Sequence, residues 1–147
     1  MGANKIILSK ELLSVPCSSA TISEGKAIAR TLMGILLESE EGIGLAANQI
    51  GINKRVCIVH VEQPIVLINP LIIAKKGNTL FKEGCLSFPG DEVTTQRYSY
   101  IEVVAINHEN VLTFSREKNL LECICVQHEI DHLNGITMHQ RRSIISG

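Results

Sequence analysis

The stretch QHEIDHLNG, residues 127–135, governs how the rest of the chain is interpreted. His128 and His132 are four residues apart, and Glu129 directly follows the first of them. On a helix, this spacing places both imidazoles on one face, one turn apart, where they can bind a single metal ion. A glutamate in this position is the residue type that acts as general base in such sites. The stretch therefore predicts a helix that carries two metal ligands.

The pattern of apolar residues extends this helix upstream, from about residue 117 to residue 134, with Gly135 as the capping glycine. Leu121, Ile124 and Cys125 precede the histidines at helical spacing, so the histidines continue an apolar stripe that faces the core. Core histidines held by hydrogen bonds are the alternative interpretation. Two histidines four residues apart, with a glutamate beside them, favour a metal site instead.

A catalytic site of this kind needs a third protein ligand. Downstream, no Asp or Glu follows His132, and His139 lies one residue beyond the position that the longer H-E-x-x-H-x-x-G-x-x-H pattern requires. Upstream, Cys85 lies in the loop KEGCLSFPG, and a thiolate binds zinc or ferrous iron well. By elimination among the five cysteines, the expected ligands are Cys85, His128 and His132, with a fourth position open to water. His139 remains the weaker alternative.

The order of the remaining elements indicates the fold class. Residues 22–40 read as a first helix, in which Thr21 and Glu24 form a capping box. Short strands, loops and a hairpin then lead to the helix with the HExxH motif. We therefore predict an α+β fold, with mostly antiparallel β-sheets packed around this central helix, an N-terminal helix, and a single domain over residues 1–147. The intervening segments are KRVCIVHV (54–61) and PIVLINP (64–70) as strands, LIIAKKGNTLF (71–81) as strand, turn and strand, YIEVVAINHENVLTFS (100–115) as a hairpin that turns at HEN, and GIGLAANQIG (42–51) and EGCLSFPGDE (83–92) as loops.

Composition excludes several classes of protein. The 147 residues are 45% hydrophobic with a formal net charge of −1, so no basic surplus favours a direct nucleic-acid partner. No apolar run approaches the roughly 18 residues of a membrane span, and the N-terminus shows no signal peptide. The five cysteines are odd in number and form no C-x-x-C motif, which is typical of the reducing cytosol.

Three motifs occur in a characteristic order: GIGLAANQIG (42–51), EGCLS (83–87) and QHEIDH (127–132). Together they resemble the motifs of peptide deformylases, over roughly residues 20–140. The resemblance implies removal of the N-formyl group from the initiator methionine of newly made polypeptides, with release of formate. It also implies one divalent metal per chain, bound by Cys85, His128 and His132. Fe²⁺ is the expected ion, with Zn²⁺ and Ni²⁺ as alternatives.

The resemblance also assigns roles within the site. Glu129 is expected to act as general base and acid for the metal-bound water that attacks the formyl carbon. Gln49 and the backbone N–H of Leu86 are expected to form the oxyanion hole. The extended peptide is expected to bind the backbone of Ile43, Gly44 and Gly84. The walls of the methionine pocket are expected to be Phe81, Leu121, Ile124, Cys125 and the ring of His128.

Some positions depart from the family pattern. Arg97 matches a family arginine, for which we predict a salt bridge to Asp131; an Asp131 solvated at the helix end is the alternative. Glu92 stands where some members have a basic residue, so the preference beyond methionine is expected to differ. The ending SIISG (143–147) leaves no room for the further C-terminal helix with which many members dock on the ribosome. Ribosome association is therefore not expected by that route. These features are typical of a compact form in the bacterial cytosol, for which a phage origin is one interpretation.

Two other functions compete with the deformylase prediction. The first is a small metallopeptidase with His139 as third ligand. The second is a metal-binding or peptide-binding module without catalysis. The joint presence of Gln49, Cys85, Glu129 and the two histidines favours an enzyme.

Overall fold

The computed structural model describes residues 6–40 and 42–143 of the chain. Those residues form three α-helices, Lys10–Leu13 (α1), Ile22–Glu38 (α2) and Arg116–Leu133 (α3). There are also two short 3₁₀ helices, Ala47–Ile50 and Met138–Arg141.

Eight strands within the described residues form three antiparallel sheets. The strand bounds are Gly44–Ala46 (β1), Val56–His60 (β2), Pro64–Ile68 (β3), Leu71–Lys76 (β4), Thr79–Glu83 (β5), Val93–Arg97 (β6), Tyr100–Val104 (β7) and Leu112–Ser115 (β8). The sheets have the strand orders β1-β2-β3, β4-β7-β8 and β5-β6.

Helix α3 lies at the centre of the molecule. Every residue from Cys123 to Leu133 is buried. One hydrophobic cluster joins the apolar residues of α3 to both three-stranded sheets, through side chains such as Leu67 of β3 and Phe114 of β8. The predicted α+β fold, with mostly antiparallel sheets around the helix of the HExxH motif, is therefore confirmed. The assignment of the whole chain to a single domain stays a prediction.

Local signals explain where α3 begins and ends. The Ser115 hydroxyl accepts a hydrogen bond from the Lys118 N–H, which caps the first turn. Asn119 then interrupts the helix with extended backbone angles, φ −169° and ψ 104°. Its side chain caps a second start by accepting from the Glu122 N–H at 2.9 Å. Gly135 follows the last turn at φ +77°, in agreement with the predicted capping glycine.

Helix α2 confirms the predicted capping box. The Thr21 hydroxyl accepts from the Glu24 N–H at 3.1 Å, and the Glu24 carboxylate accepts from the Thr21 N–H at 2.9 Å. Leu32 and Leu36 bury the apolar face of the helix against the sheet β1-β2-β3. The helix ends at Glu38, two residues before the predicted end at residue 40.

Several sheet features differ from the sequence prediction. The segment predicted as the loop 42–51 contains strand β1 and a 3₁₀ helix, and strand β6 and helix α1 were not predicted. The strands β4 and β5 exist as predicted, but β4 pairs with β7 and β5 pairs with β6. The predicted hairpin over 100–115 is confirmed, since β7 pairs with β8 in the register Tyr100↔Ser115.

Two predictions made on the chain ends fall outside the described residues. The search for a signal peptide included residues 1–5, which the structure does not describe. The predicted ending without a further helix includes residues 144–147, which are not described either. Over the part of the chain that is described, we find no helix long and apolar enough to cross a membrane.

Candidate active site

The two histidines of α3 face each other as the spacing predicts. Their Nε2 atoms are 3.2 Å apart, and the rings meet edge to face with centroids 4.9 Å apart. Both side chains are buried, with 7% of His128 and none of His132 exposed. Two imidazole nitrogens therefore converge on one point beneath the surface.

Cys85 completes a three-ligand cluster. It follows Gly84 in the loop after β5, and its sulfur lies 3.3 Å from the Nε2 atom of His132. Ligand atoms of Cys85, His128 and His132 all lie within 4.8 Å of one another, and no other group of His, Cys, Asp or Glu in the described residues could hold a metal. Around a tetrahedral zinc-sized ion, bonds of about 2.0–2.3 Å place ligand atoms about 3.3–3.6 Å apart. The donor types and their spacing therefore fit a divalent metal.

His139, the alternative third ligand, lies outside this cluster. Its Nε2 atom is 3.1 Å from the Asp91 carboxylate, and its ring packs edge to face on Phe88 with centroids 4.6 Å apart. The weaker alternative, with His139 as third ligand, is therefore not supported by this geometry. The ring of His139, which belongs to the 3₁₀ helix Met138–Arg141, packs against the loop that follows Cys85.

The Glu129 carboxylate lies beside the cluster and is almost fully buried, with 3% of the residue exposed. Burial raises its pKa to about 7. Its Oε1 atom has no hydrogen-bond partner among the described residues. A buried carboxylate with a pKa near neutrality and a free oxygen is suited to accept and return a proton.

Gly44 of β1 allows the backbone to approach this carboxylate closely. A Cβ atom at position 44 would lie 2.6 Å from Glu129 Oε2 and 2.7 Å from Cys125 Sγ. Real Cβ atoms essentially never show such contacts. A glycine is therefore required at position 44 for steric reasons, because the edge of β1 passes directly over Glu129, the predicted base.

The Gln49 side chain is buried and aimed at the same point. Its Oε1 atom accepts from the Ala46 N–H at 2.9 Å, which fixes the orientation of the amide. Its Nε2 atom lies 3.1 Å from the Ser87 hydroxyl and 3.6 Å from Cys85 Sγ. The amide therefore presents N–H donors next to the metal ligand, beside the turn that carries Leu86.

The cluster forms one side of a cleft with a volume of about 710 Å³, within the range of small-ligand sites. Both Gln49 and Leu86, the two residues predicted for the oxyanion hole, line it. Cys85, His128 and Glu129 line it too, whereas His132 is fully buried behind them. All seven residues predicted to bind substrate also line the cleft: Ile43, Gly44, Phe81, Gly84, Leu121, Ile124 and Cys125. The structure brings the predicted residues together; their individual roles stay predictions.

Glu83 is a site residue that sequence reasoning missed. Its Oε1 atom is 2.8 Å from His128 Nδ1, and its carboxylate accepts two hydrogen bonds from Arg97, at 2.6 and 2.9 Å. Burial alone raises the Glu83 pKa, but hydrogen bonds from Arg97 and His128 outweigh it and bring that pKa to about 2. An ionised carboxylate only accepts, so His128 Nδ1 carries a proton, and Nε2 is the ring nitrogen left to bind a metal.

The predicted salt bridge between Arg97 and Asp131 is confirmed. The Arg97 Nη1 atom lies 2.5 Å from Asp131 Oδ2. Arg141 also donates two hydrogen bonds of 2.9 Å to the Asp131 carboxylate. Only 7% of Asp131 is exposed, so the alternative of a solvated aspartate is wrong. A continuous line of charged groups thus runs from His128 through Glu83, Arg97 and Asp131 to Arg141.

The fold and the site together define the class of protein. Two histidines one turn apart, an upstream cysteine and a buried glutamate are the parts from which metal-dependent hydrolases with an HExxH motif build their sites.

Comparison with known proteins narrows this class. The sequence model of the polypeptide deformylase family matches residues 3–146 of this chain. The peptide deformylase of Buchnera aphidicola is 47% identical over 100 residues, which are 65% of this chain and 59% of the relative. The peptide deformylase of Desulfitobacterium hafniense is 46% identical over 112 residues, 74% of each chain. The chain thus spans less than two thirds of the first relative's length.

A solved structure shows the same fold. The peptide deformylase of Synechococcus elongatus in complex with actinonin superposes with a TM-score of 0.83 at 32% sequence identity. The superposition covers 97% of this chain and 80% of that one. The chain belongs to the polypeptide deformylase family.

Proposed function

We propose that this protein removes the N-formyl group from the initiator methionine of newly made polypeptides and releases formate. The proposal rests above all on one observation: Cys85, His128 and His132 converge beside the Glu129 carboxylate and the Gln49 amide, at an apolar cleft. Membership of the polypeptide deformylase family supports the same reaction.

The metal in this proposal is Fe²⁺, with Zn²⁺ and Ni²⁺ as alternatives, because one thiolate and two imidazoles suit all three ions. Cys85 Sγ, His128 Nε2 and His132 Nε2 are the atoms that would bind it. When bound, such an ion acts as a Lewis acid towards the formyl oxygen and makes water nucleophilic at neutral pH.

The side chains around the ligands would move the proton and stabilise charge. Glu129 would accept a proton from the attacking water and donate it to the leaving amine as the formyl C–N bond breaks. The Gln49 amide and the Leu86 N–H would donate hydrogen bonds to the oxyanion that forms on the former carbonyl oxygen. The overall reaction consumes one water and yields formate and a free amino terminus.

The walls of the cleft would select the peptide. Gly44 begins β1 and Ile43 directly precedes it, and the outer edge of this strand has no strand partner among the described residues. An extended peptide could pair with this edge and with Gly84 on the opposite wall. The apolar side chains of Phe81, Leu121 and Ile124 would enclose an unbranched methionine side chain.

Free thiols support a reducing location. All five cysteines are unpaired, in line with the proposed bacterial cytosol. An iron-dependent enzyme with a thiolate ligand would also be best preserved in a reducing compartment.

The test is release of formate from formyl-Met-Ala-Ser by protein loaded anaerobically with Fe²⁺ and, separately, with Ni²⁺. We expect turnover by the wild type and a fall of about 10²–10⁴-fold in Glu129→Gln, with one metal per chain retained. The matched control is Glu117→Gln, since Glu117 is an exposed glutamate in the first turn of the same helix. Absence of turnover with either metal, despite full metal loading, would overturn the proposal and favour a binding module.

A further inference from the structure

A second cleft, of about 570 Å³, is formed by the last turn of α3, strand β4, the end of β6 and the 3₁₀ helix Met138–Arg141. Asp131 is the single carboxylate that lines it among the described residues, and it is bound by Arg97 and Arg141 of the line of charges described above. The basic side chains that line it are Arg55, Lys75, Arg97, Arg141 and Arg142.

The charges of this cleft do not balance. Arg97 and Arg141 are matched by the carboxylates of Glu83 and Asp131 through short ion pairs. Over the described part of the chain, the other three cations, Arg55, Lys75 and Arg142, make no ion pair with any carboxylate. A protein with a formal net charge of −1 therefore concentrates three unmatched positive charges in one concave surface.

Arg55 is held in place by neutral acceptors. Its Nη1 atom donates to Asn134 Oδ1 at 2.7 Å and to the Leu133 carbonyl at 3.2 Å. Its Nη2 atom donates to the Pro70 carbonyl at 2.7 Å. These bonds fix the guanidinium without cancelling its charge, and they leave N–H donors unused. A fixed guanidinium loses little side-chain entropy when it binds an anion.

Lys75 and Tyr98 form a second fixed group. The Lys75 Nζ atom lies 5.1 Å from the centroid of the Tyr98 ring, a cation–π contact at the wall of the cleft. Neutral amide side chains, among them Gln96 and Gln140, line the same cleft and can donate further hydrogen bonds.

We propose that this cleft is a binding site for a phosphate-bearing ligand. A single arginine neutralises a carboxylate, whereas three unmatched cations fit a ligand with more than one negative charge. Arginine forks and amide N–H donors are the groups that recognise phosphate oxygens. The shared chemistry is a phosphate ester or anhydride. It could come from a small polyphosphate or from the phosphodiester backbone of RNA.

The test measures binding to the metal-loaded protein. One probe is tripolyphosphate, followed by calorimetry; the other is a fluorescein-labelled RNA 10-mer, followed by anisotropy at two salt concentrations. The variant is Lys75→Gln with Arg142→Gln, since both side chains are exposed and make no ion pair among the described residues. The control is Lys26→Gln with Arg30→Gln, which removes two exposed charges of α2 outside the cleft. Thermal melting checks that both variants stay folded.

We expect saturable binding that weakens at least about tenfold in the Lys75/Arg142 variant and stays within about twofold in the control. Binding of tripolyphosphate would identify a small ligand; binding of RNA alone, with the same loss, would identify the phosphodiester source. Equal loss in both variants would mean unspecific charge attraction and overturn the site. An oligo-glutamate peptide serves as a polyanion without phosphate, and if it bound as tightly as either phosphate probe, the proposed ligand class would be overturned. If neither phosphate probe saturated the protein by about 1 mM, the proposal itself would be overturned.

Discussion

At the scale of the residue, the choice of metal ligands depends on where each donor atom points. The Cys85 sulfur lies 3.3 Å from His132 Nε2, whereas the His139 ring lies on Phe88 and bonds to Asp91. Both residues could bind metal by type, but only Cys85 lies in the cluster. His139 instead links the C-terminal 3₁₀ helix to the loop that carries Cys85.

We therefore predict that Cys85→Ala abolishes stoichiometric metal binding, because two histidines alone leave a weak site. His139→Ala should retain one metal per chain, since its imidazole lies outside the cluster. Metal content after gel filtration, measured by elemental analysis, checks both variants. If the two variants lost metal equally, the cluster assigned here would be wrong.

The same residues show what the sequence could and could not predict. The ligands were predictable because HExxH is a local pattern and because Cys85 lies in a Gly- and Pro-bearing loop. Glu83 was missed, although it lies only two residues before Cys85. Its function depends on Arg97 and His128, which approach it only in the folded chain. Nothing in the local sequence indicates that this glutamate is buried.

At the scale of the element, the pair Arg97–Asp131 connects β6 to α3. The side chain of Arg97 is 3% exposed, and it bonds to both Glu83 and Asp131. Removal of one partner from a buried ion pair leaves the other charges uncompensated. The connection also orients His128, because Arg97 and His128 share the carboxylate of Glu83.

Arg97→Gln should therefore lower the free energy of unfolding by about 3–5 kcal/mol. Arg141→Gln is the matched control. Arg141 bonds to the same Asp131, but its side chain is 43% exposed and solvent screens its charge. Its loss should change stability by about 0–1 kcal/mol. Urea denaturation of the metal-loaded proteins measures both values. Equal losses of unfolding free energy in the two variants would show that burial does not determine how strongly the Arg97–Asp131 pair stabilises the fold.

Substitution of two glycines by alanine, one within a helix and one just after a helix, should have opposite effects on stability. A Cβ added at Gly34 of α2 would meet no atom within 4 Å, whereas a Cβ at Gly135 would lie 2.5 Å from the Ser14 carbonyl oxygen. Gly135 also has φ +77°. Gly34→Ala should therefore stabilise the protein by about 0.5–1 kcal/mol, since alanine is the better helix former. Gly135→Ala should destabilise it by about 2 kcal/mol, because the turn and the Ser14 backbone both resist a side chain. Thermal melting should give shifts of opposite sign; shifts of the same sign would contradict this account.

The elements themselves were easier to predict than their partners. The Val- and Ile-rich runs at β2, β3 and β7 indicate strands through local composition. Strand β6, VTTQR, escaped prediction because its buried side chains include Thr95 and Arg97, which are satisfied by Glu83 rather than by apolar packing. Pairing of β4 with β7 depends on residues about 30 positions apart, for which local patterns give no signal.

At the scale of the whole molecule, the average charge hides a separation of charge. The formal net charge of −1 argued against a nucleic-acid partner, but that argument applies only to charges spread evenly. The folded chain places Arg55, Lys75 and Arg142 in one cleft, whereas the cleft of the metal ligands carries Asp91 and Glu92 together with Lys82. The first of these clefts is therefore expected to attract anionic ligands, and the line from His128 to Arg141 connects it to the other.

A metal ion bound by Cys85 and the two histidines would join two separate parts of this architecture. Cys85 lies in the loop that connects β5 to β6, and the histidines belong to α3. Because the unfolded chain offers no such site, metal binding should stabilise the folded state. With free Ni²⁺ held a hundredfold above its dissociation constant, the gain is about 2.7 kcal/mol, or roughly 5–10 °C in melting temperature for a chain of this length. Removal of the metal by a chelator should reverse it. Cys85→Ala should show no shift on adding the metal, and a wild type that melts equally with and without metal would contradict the site.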